Sequence, residues 1–449
     1  MMTDLKQTAY GDLRSGLRPA TREVEQNIEL STKSRFSMVV RAVLGVSFEY
    51  YDYVMFATFS PFFAKQFFHA DDPIAATLNT LLVFALGFVM RPIGAMLAGH
   101  LADKFGRKPI MLVSLAIAAI GSLAIALTPT YQDIGLLAVA VLVTARLFQG
   151  LAHGMESISA FTYIAEVADR RHRATQTCAY AIGMNLGVMQ ATIFGVILTS
   201  LLDNDAMQQW GWRIPFVIGA VYGLFILLLR RGIRESAAFT KKEAAGQAKV
   251  AYWPTVWKYR KTVVMLLLIW SAVSTTAYTF QVGFSEYAIS SLGANPRDAF
   301  WAAFIAQLVY MVAVVGWARV SDRRGRKFNY TIGFTGLLVA AFPLQLMLGP
   351  SLLQIALPMT IALAMHAAVA STEIAFVNEQ IPNHVRPTVM SIPSSFGAVL
   401  FGATAPYMKT FATAYASPFL FTGYYCVLCL VALITMRMMP ETVGRDLEE

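Results

Sequence analysis

In the stretch SFEYYDYVMF, Ser47 to Phe56, two carboxylates interrupt an apolar run: Glu49 and Asp52 stand three residues apart. Helical spacing places both on one face. At bilayer depth an ionised carboxylate is costly unless something pairs or uses it. Two readings stay open. Buried in low dielectric, the pair can take up and release a proton and so couple transport to protons; alternatively it is a permanent salt bridge to Arg91 or Arg146. Arg91, in GFVMRPIGA (Gly87 to Ala95), carries a planar, always-charged fork that holds a carboxylate through two parallel bonds. It reads as a substrate anchor or as the partner of the acidic pair. Arg146, Gln149 and His153 recur at steps of three and four, one polar stripe inside an apolar segment. They read as substrate-binding, with a structural pairing of Arg146 as the alternative. Tyr53, Tyr278, Gln281 and His366 complete the candidate binding set, each also readable as packing.

The elements that must position these residues follow from composition. Of 449 residues, 56% are hydrophobic and 14% charged, against about 25% charged in soluble proteins. That excludes a soluble globular domain. Twelve stretches are apolar and long enough to cross a bilayer as helices. The predicted fold is an all-α membrane protein of two six-helix bundles, residues 38–233 and 261–438. A cytoplasmic tail (1–37) without the apolar core of a signal peptide precedes them, a polar cytoplasmic linker (234–260) joins them, and a cytoplasmic tail (439–449) follows. Lys and Arg crowd the loops of one side; Lys65, Arg213, Arg297 and Lys409 are all that is assigned to the other, so both termini are expected to be cytoplasmic. The same topology accounts for the net charge of +9 without a nucleic-acid partner.

The halves repeat. GHLADKFGRK (Gly99 to Lys108) recurs as ARVSDRRGRK (Ala318 to Lys327), and EVADRRHRAT (Glu166 to Thr175) as EQIPNHVRPT (Glu379 to Thr388). Parallel repeats with a site between them are a transporter architecture. The shift that superposes the second pair carries His153 onto His366 but Arg146 onto Met359 and Gln149 onto Ala362. The strong charges therefore belong to the first half.

On the GHLADKFGRK loop and RLFQG (Arg146 to Gly150), the chain resembles the major facilitator superfamily. On Glu49 and Asp52 with their aromatic neighbours, GFVMRPIGA, RLFQG and WGWRIPF (Trp210 to Phe216), it is most similar to the metabolite:proton symporters, which include transporters of citrate, 2-oxoglutarate, shikimate and compatible solutes. It departs from them in HGMES (His153 to Ser157) and FGATAPY (Phe401 to Tyr407), near the cavity. The resemblance implies proton-coupled import of a small organic anion by rocker-switch alternating access, in a bacterial-type inner membrane, by a monomer. Uptake of a betaine- or proline-type zwitterion is the alternative, and efflux a weaker one. Asp103, Arg107 and Asp322 are expected to form a charge-and-dipole latch between helices. Glu156, Glu166 and Arg173 join it, with Glu379 and Arg386 as second-half equivalents.

No Walker loop, nucleophile elbow or metal-ligand spacing occurs, so neither an enzyme nor an ATP-driven pump is expected. The expected cofactor is none, the coupling ion a proton. Cys178, Cys426 and Cys429 read as packing residues.

Overall fold

A computed structural model describes residues 32–68, 72–105, 107–231, 252–382 and 385–445. The first half consists of α1 (Thr32–Phe67), α2 (Pro73–Phe105), α3 (Arg107–Leu127), α4 (Leu136–Val167), α5 (Arg173–Leu201) and α6 (Arg213–Arg231). In the second, α7 runs Arg260–Ala277, passes through a π turn at Tyr278–Val282 and resumes as Phe284–Ser290. Then come α8 (Pro296–Arg324), α9 (Arg326–Met347) and α10 (Leu352–Gln380). The next helix, α11, is Arg386–Gly397, a π turn at Ala398–Ala403 and Thr404–Tyr415; α12 is Pro418–Met438. By packing, Val43–Glu449 form one compact unit; of Met1–Ala42 the described part is the start of α1. The predicted tail 1–37 otherwise lies outside the described residues, as do 446–449.

Helix starts follow local chemistry. Asn295 caps α8 by accepting the Arg297 N–H, with Pro296 in the first turn where a missing donor costs nothing. Ser351 and Gln354 form a capping box on α10. Gly325, at φ 101°, breaks α8 from α9; this left-handed turn is why the RRGRK loop needs glycine there.

Among the described residues, ten helices are long and apolar enough to cross a membrane, and an eleventh follows if the bent pair Asn204–Gly211 and Arg213–Leu229 is one span. The exception is α1. Glu49, Asp52 and the tyrosines around them depress its hydropathy, so the helix that fails the composition test is the one that bears the acidic pair.

Within the expected linker 234–260, Tyr252–Lys258 is a helix, and the Tyr252 hydroxyl lies 2.8 Å from Ser391 Oγ. Its Trp253 and Trp257 are exposed, as suits a segment at a membrane surface. Residues 232–251 lie outside the described residues. One expectation is corrected: Lys409, assigned to the side opposite the basic loops, does not reach water. It is buried in α11 with its ammonium over the rings of Tyr287, Phe284, Phe280 and Phe421 at 4.4–5.7 Å.

The first half is held by contacts that only glycine permits. A Cβ on Gly150 would collide with the Gly87 carbonyl, and one on Gly154 with the Arg91 carbonyl, so α4 lies backbone-to-backbone on α2. Small residues serve this purpose between membrane helices, where hydrophobicity alone supplies no attraction. The last residue of RLFQG is therefore a packing requirement. WGWRIPF also has a structural account: Trp212 is buried against Phe63 and Phe67, and Arg213 donates to the Ala126 and Thr128 carbonyls at 2.8 and 2.7 Å, capping α3.

Candidate functional site

Glu49 and Asp52 point from α1 toward α4, and the stripe on α4 meets them. His153 sits between the two: its Nδ1 is 3.4 Å from Glu49 Oε1 and its Nε2 3.5 Å from Asp52 Oδ2. A neutral imidazole donates from one nitrogen only, whereas a protonated ring donates from both. The Glu49–His153–Asp52 row thus has a place for one more proton.

Asp52 is fixed by a second residue of α4 and by one of α3. Gln149 Nε2 donates to both its oxygens at 3.2 and 3.1 Å, and Ser122 of α3 donates its hydroxyl to Oδ1. Gly121 leaves the space into which the Gln149 side chain packs. Arg146 Nη1 donates to Gln149 Oε1 at 3.0 Å, and its guanidinium is boxed by Phe56, Tyr53 and Phe84 at 4.6–5.5 Å. Such ring faces stabilise a buried cation. Arg146 therefore orders Gln149, which orders Asp52.

Arg91 occupies the other end of the row. Its Nη2 donates to Glu49 Oε1 at 3.4 Å and its Nη1 to the Tyr278 hydroxyl at 3.5 Å, across the boundary between the halves. Tyr278 stands at the π turn of α7 and packs on Gly402 in the π turn of α11. Such local bulges recur at functional sites because they re-aim side chains.

Arg91, Tyr278, Gln281 and His366 line a cavity of about 130 Å³ between the halves, together with Trp270 and Glu373. Arg146, Gln149, His153 and Tyr53 are behind its wall. The predicted residues thus divide into four that face the cavity and a buried cluster joined to them through Arg91 and Glu49. Sequence reasoning missed Glu373 and Trp270, although a lone carboxylate within an apolar span was signal enough for the first. Trp270 Nε1 donates to Glu373 Oε1 at 2.5 Å. It also passed over Ser122.

At one end of the bundle a second network joins the halves. Arg173 of α5 meets Glu379 of α10 at 2.8 Å, and Arg326 bridges Glu379 (3.0 Å) and Asp322 (2.8 Å). Asp322 in turn accepts the N–H groups of Ala174 and Thr175, both at 2.9 Å, and so neutralises the start of α5. Arg386 donates to the carbonyls of Asn378 and Ile381 at the end of α10. The network is therefore wired through Arg326, which sequence reasoning did not single out. The side chains of Asp103, Arg107, Glu156 and Glu166 lie outside the described residues.

A bundle of helices apolar and long enough to cross a membrane, with a small cavity lined by aromatic, apolar and a few charged residues where its halves meet, has the architecture of a solute transporter. Residues 42–406 match the model of the Major Facilitator Superfamily, and the chain belongs to that family. It is 30% identical to the alpha-ketoglutarate permease of Escherichia coli (strain K12) over 91% of this chain and 94% of that protein. Identity to the citrate-proton symporter of Salmonella typhi is 29% over 85% and 88%. Its fold superposes on the xylose transporter of E. coli in a partially occluded inward-open conformation with a TM-score of 0.75, at 18% identity, covering 92% of this chain and all of that one. The chain has the twelve-helix major facilitator fold.

Proposed function

We propose that this transporter is a proton-coupled symporter that imports a small carboxylate-bearing solute across a bacterial-type inner membrane, both termini facing the cytoplasm. One observation carries the reading: Arg91 faces the cavity while paired with Glu49, and Glu49 shares His153 with Asp52. A solute carboxylate that engages Arg91 competes with Glu49. The released Glu49 is then a base beside His153, and a proton arriving there compensates its lost partner. Solute and proton stabilise the same loaded state, which is the linkage a symporter requires. The names of the relatives support both the carboxylate and the proton.

In this scheme Arg91 is the anchor, Arg146 and Gln149 are positioning residues for Asp52, and the Arg173–Glu379–Arg326–Asp322 network is the latch that opens as the halves rock. A zwitterionic solute is the second reading, favoured by the Glu373 carboxylate on the wall that also bears Arg91.

The test is reconstitution in liposomes at zero membrane potential with an imposed pH gradient, screened against labelled 2-oxoglutarate, citrate and glycine betaine. Glu49→Gln is expected to lower the accumulation ratio of the transported acid at a fixed pH gradient by the share that one coupled proton supplies, about tenfold per pH unit of gradient, while counterflow exchange continues. An accumulation ratio in Glu49→Gln equal to that of wild type removes the coupling assignment.

A further inference from the structure

The cavity wall carries a carboxylate that the proposed scheme does not use. Glu373 of α10 faces the cavity from the second half, and the Trp270 indole N–H of α7 donates to its Oε1 at 2.5 Å. No Lys, Arg or His pairs with it among the described residues. The groups that face it are the phenols of Tyr180 on α5, Tyr310 on α8 and Tyr330 on α9, the Trp270 indole, His366 two turns earlier on α10, and Arg91 across the cavity. The His366 ring stacks on Tyr310 at 5.9 Å. Among the described residues α4 contributes Gly154 to this wall, and the polar groups that α11 contributes are Ser394 and Ser395. The single permanent cation among them, Arg91, already has Glu49 as its partner.

We infer that Glu373 is a second proton-carrying group, whose charge decides whether an anionic solute can occupy the cavity. The inference rests on the carboxylate reading above. With Glu373 ionised, the wall bears an uncompensated negative charge, and a solute carboxylate held at Arg91 would face it in low dielectric, where like charges repel strongly. With Glu373 protonated that repulsion is gone. The carboxyl O–H also becomes a donor to solute oxygen, which an ionised carboxylate cannot be. Proton uptake at Glu373 and anion occupancy are then reciprocally linked. The indole fixes the carboxyl at the wall in either state, so the group changes charge without leaving its place. One proton would travel with the Glu49–His153–Asp52 row of the first half and one with Glu373 of the second.

The experiment uses the full chain in liposomes and measures counterflow KM for labelled 2-oxoglutarate and citrate across neutral pH, with glycine betaine alongside. Wild type is expected to show KM for the transported acid rising on the alkaline side by about tenfold per pH unit for each linked proton, and so by up to about a hundredfold where both groups take part. Glu373→Gln is expected to reduce that slope by one proton, to bind the acid at least about tenfold more tightly one pH unit above the Glu373 midpoint, and to lower the proton-to-solute ratio, read from the potential that just cancels uptake, by one. Glu49→Gln should keep the part of the slope that Glu373 supplies. Trp270→Phe retains the carboxyl and should move the midpoint of the curve without erasing it, so the proposal stays testable if Glu373→Gln does not fold. A Glu373→Gln protein with the wild-type slope and ratio overturns the inference and leaves the symport reading standing. Betaine uptake by wild type that Glu373→Gln abolishes also overturns it, because Glu373 would then work ionised. If wild type takes up no acid at all, both fall together.

Discussion

Both halves of this transporter bury charge, but they treat it differently. In the first, every ionisable group of the site is paired or held: Glu49 by Arg91 and His153, Asp52 by Gln149, Ser122 and His153, Arg146 by Gln149 and three rings. In the second, charges stand singly among neutral partners. Glu373 has an indole, Glu286 the Ser290 hydroxyl at 2.6 Å, and Lys409, among the described residues, aromatic rings alone. A network fixes geometry because each member is positioned by another. A lone carboxyl is not so constrained and is free to change charge. The first half thus supplies a networked, asymmetric electrostatic frame around its proton-accepting row, and the second supplies shape and single charged groups held by neutral partners.

The strongest way to break this contrast is to remove the frame itself. Gly150→Val drives a branched side chain into the Gly87 carbonyl on α2. Backbone cannot yield as a flexible side chain does, so about 3 kcal/mol or more of stability should be lost. Folded protein recovered by size-exclusion in mild detergent is expected to fall to background. Gly423→Ala on α12, where an added Cβ meets nothing within 4 Å, should leave recovery unchanged. Full recovery of Gly150→Val would mean that α2 and α4 are not held at this distance.

A pair of substitutions compares the two kinds of buried cation. Arg146→Met takes a hydrogen-bonded cation from the network around Asp52 and leaves Gln149 Oε1 without its donor; a loss of about 3 kcal/mol is expected. Lys409→Met removes an ammonium that no carboxylate meets among the described residues and keeps the volume. Replacing a buried charge by a well-packed apolar side chain is neutral or stabilising by about 1–2 kcal/mol. The melting temperature of Lys409→Met should therefore equal or exceed that of wild type while Arg146→Met melts several degrees lower. Equal losses in both would erase the distinction between the halves.

How much of this was legible depended on where each partner lies. Glu49, Asp52, Arg91 and the Arg146–Gln149–His153 stripe declared themselves because charge is rare in apolar segments and helical spacing puts the stripe on one face. The division between cavity wall and buried cluster was not legible. It depends on how α2 and α4 are rotated against each other, and the collisions at Gly150 and Gly154 that set this involve residues remote in sequence. Glu373 was present as a charge, but its partner is an indole on another helix, and tryptophan gives no polar signal in a hydropathy reading. Lys409 was assigned to the aqueous side because a Lys near a helix end usually reaches water; the four rings that enclose it are drawn from α7 and α12. The π turns of α7 and α11 left no mark either, since they meet where the Tyr278 ring packs on Gly402.

The second half does own one paired network, at its end rather than its centre, and the smallest expected effect probes it there. Glu441, beyond α12, accepts the N–H groups of Arg326, Lys327, Thr442 and Val443 at 2.9–3.1 Å, and Thr442 donates to Glu379 at 2.7 Å. Partial burial pushes the Glu441 carboxyl upward, but the four donors outweigh it and hold the group below the ordinary glutamate range. Two of those donors are the first amides of α9, which have no partner inside their own helix. A carboxyl lowered in the folded state stabilises fully at neutral pH, and that contribution is lost as pH falls from about 5 through the folded value. Glu441→Gln keeps an oxygen for the amides but not the charge at the helix start, so it should cost about 1 kcal/mol or less at pH 7. The difference from wild type should shrink progressively as pH falls below the ordinary glutamate range toward the lowered folded value, as followed by thermal unfolding at pH 7 and at a series of acid pH values. A deficit that persists undiminished in acid would come from packing at Gly325, where an added Cβ would press on the Glu441 carboxyl. The helix-start charge would then contribute nothing to joining the segment after α12 to the Arg326–Glu379 network.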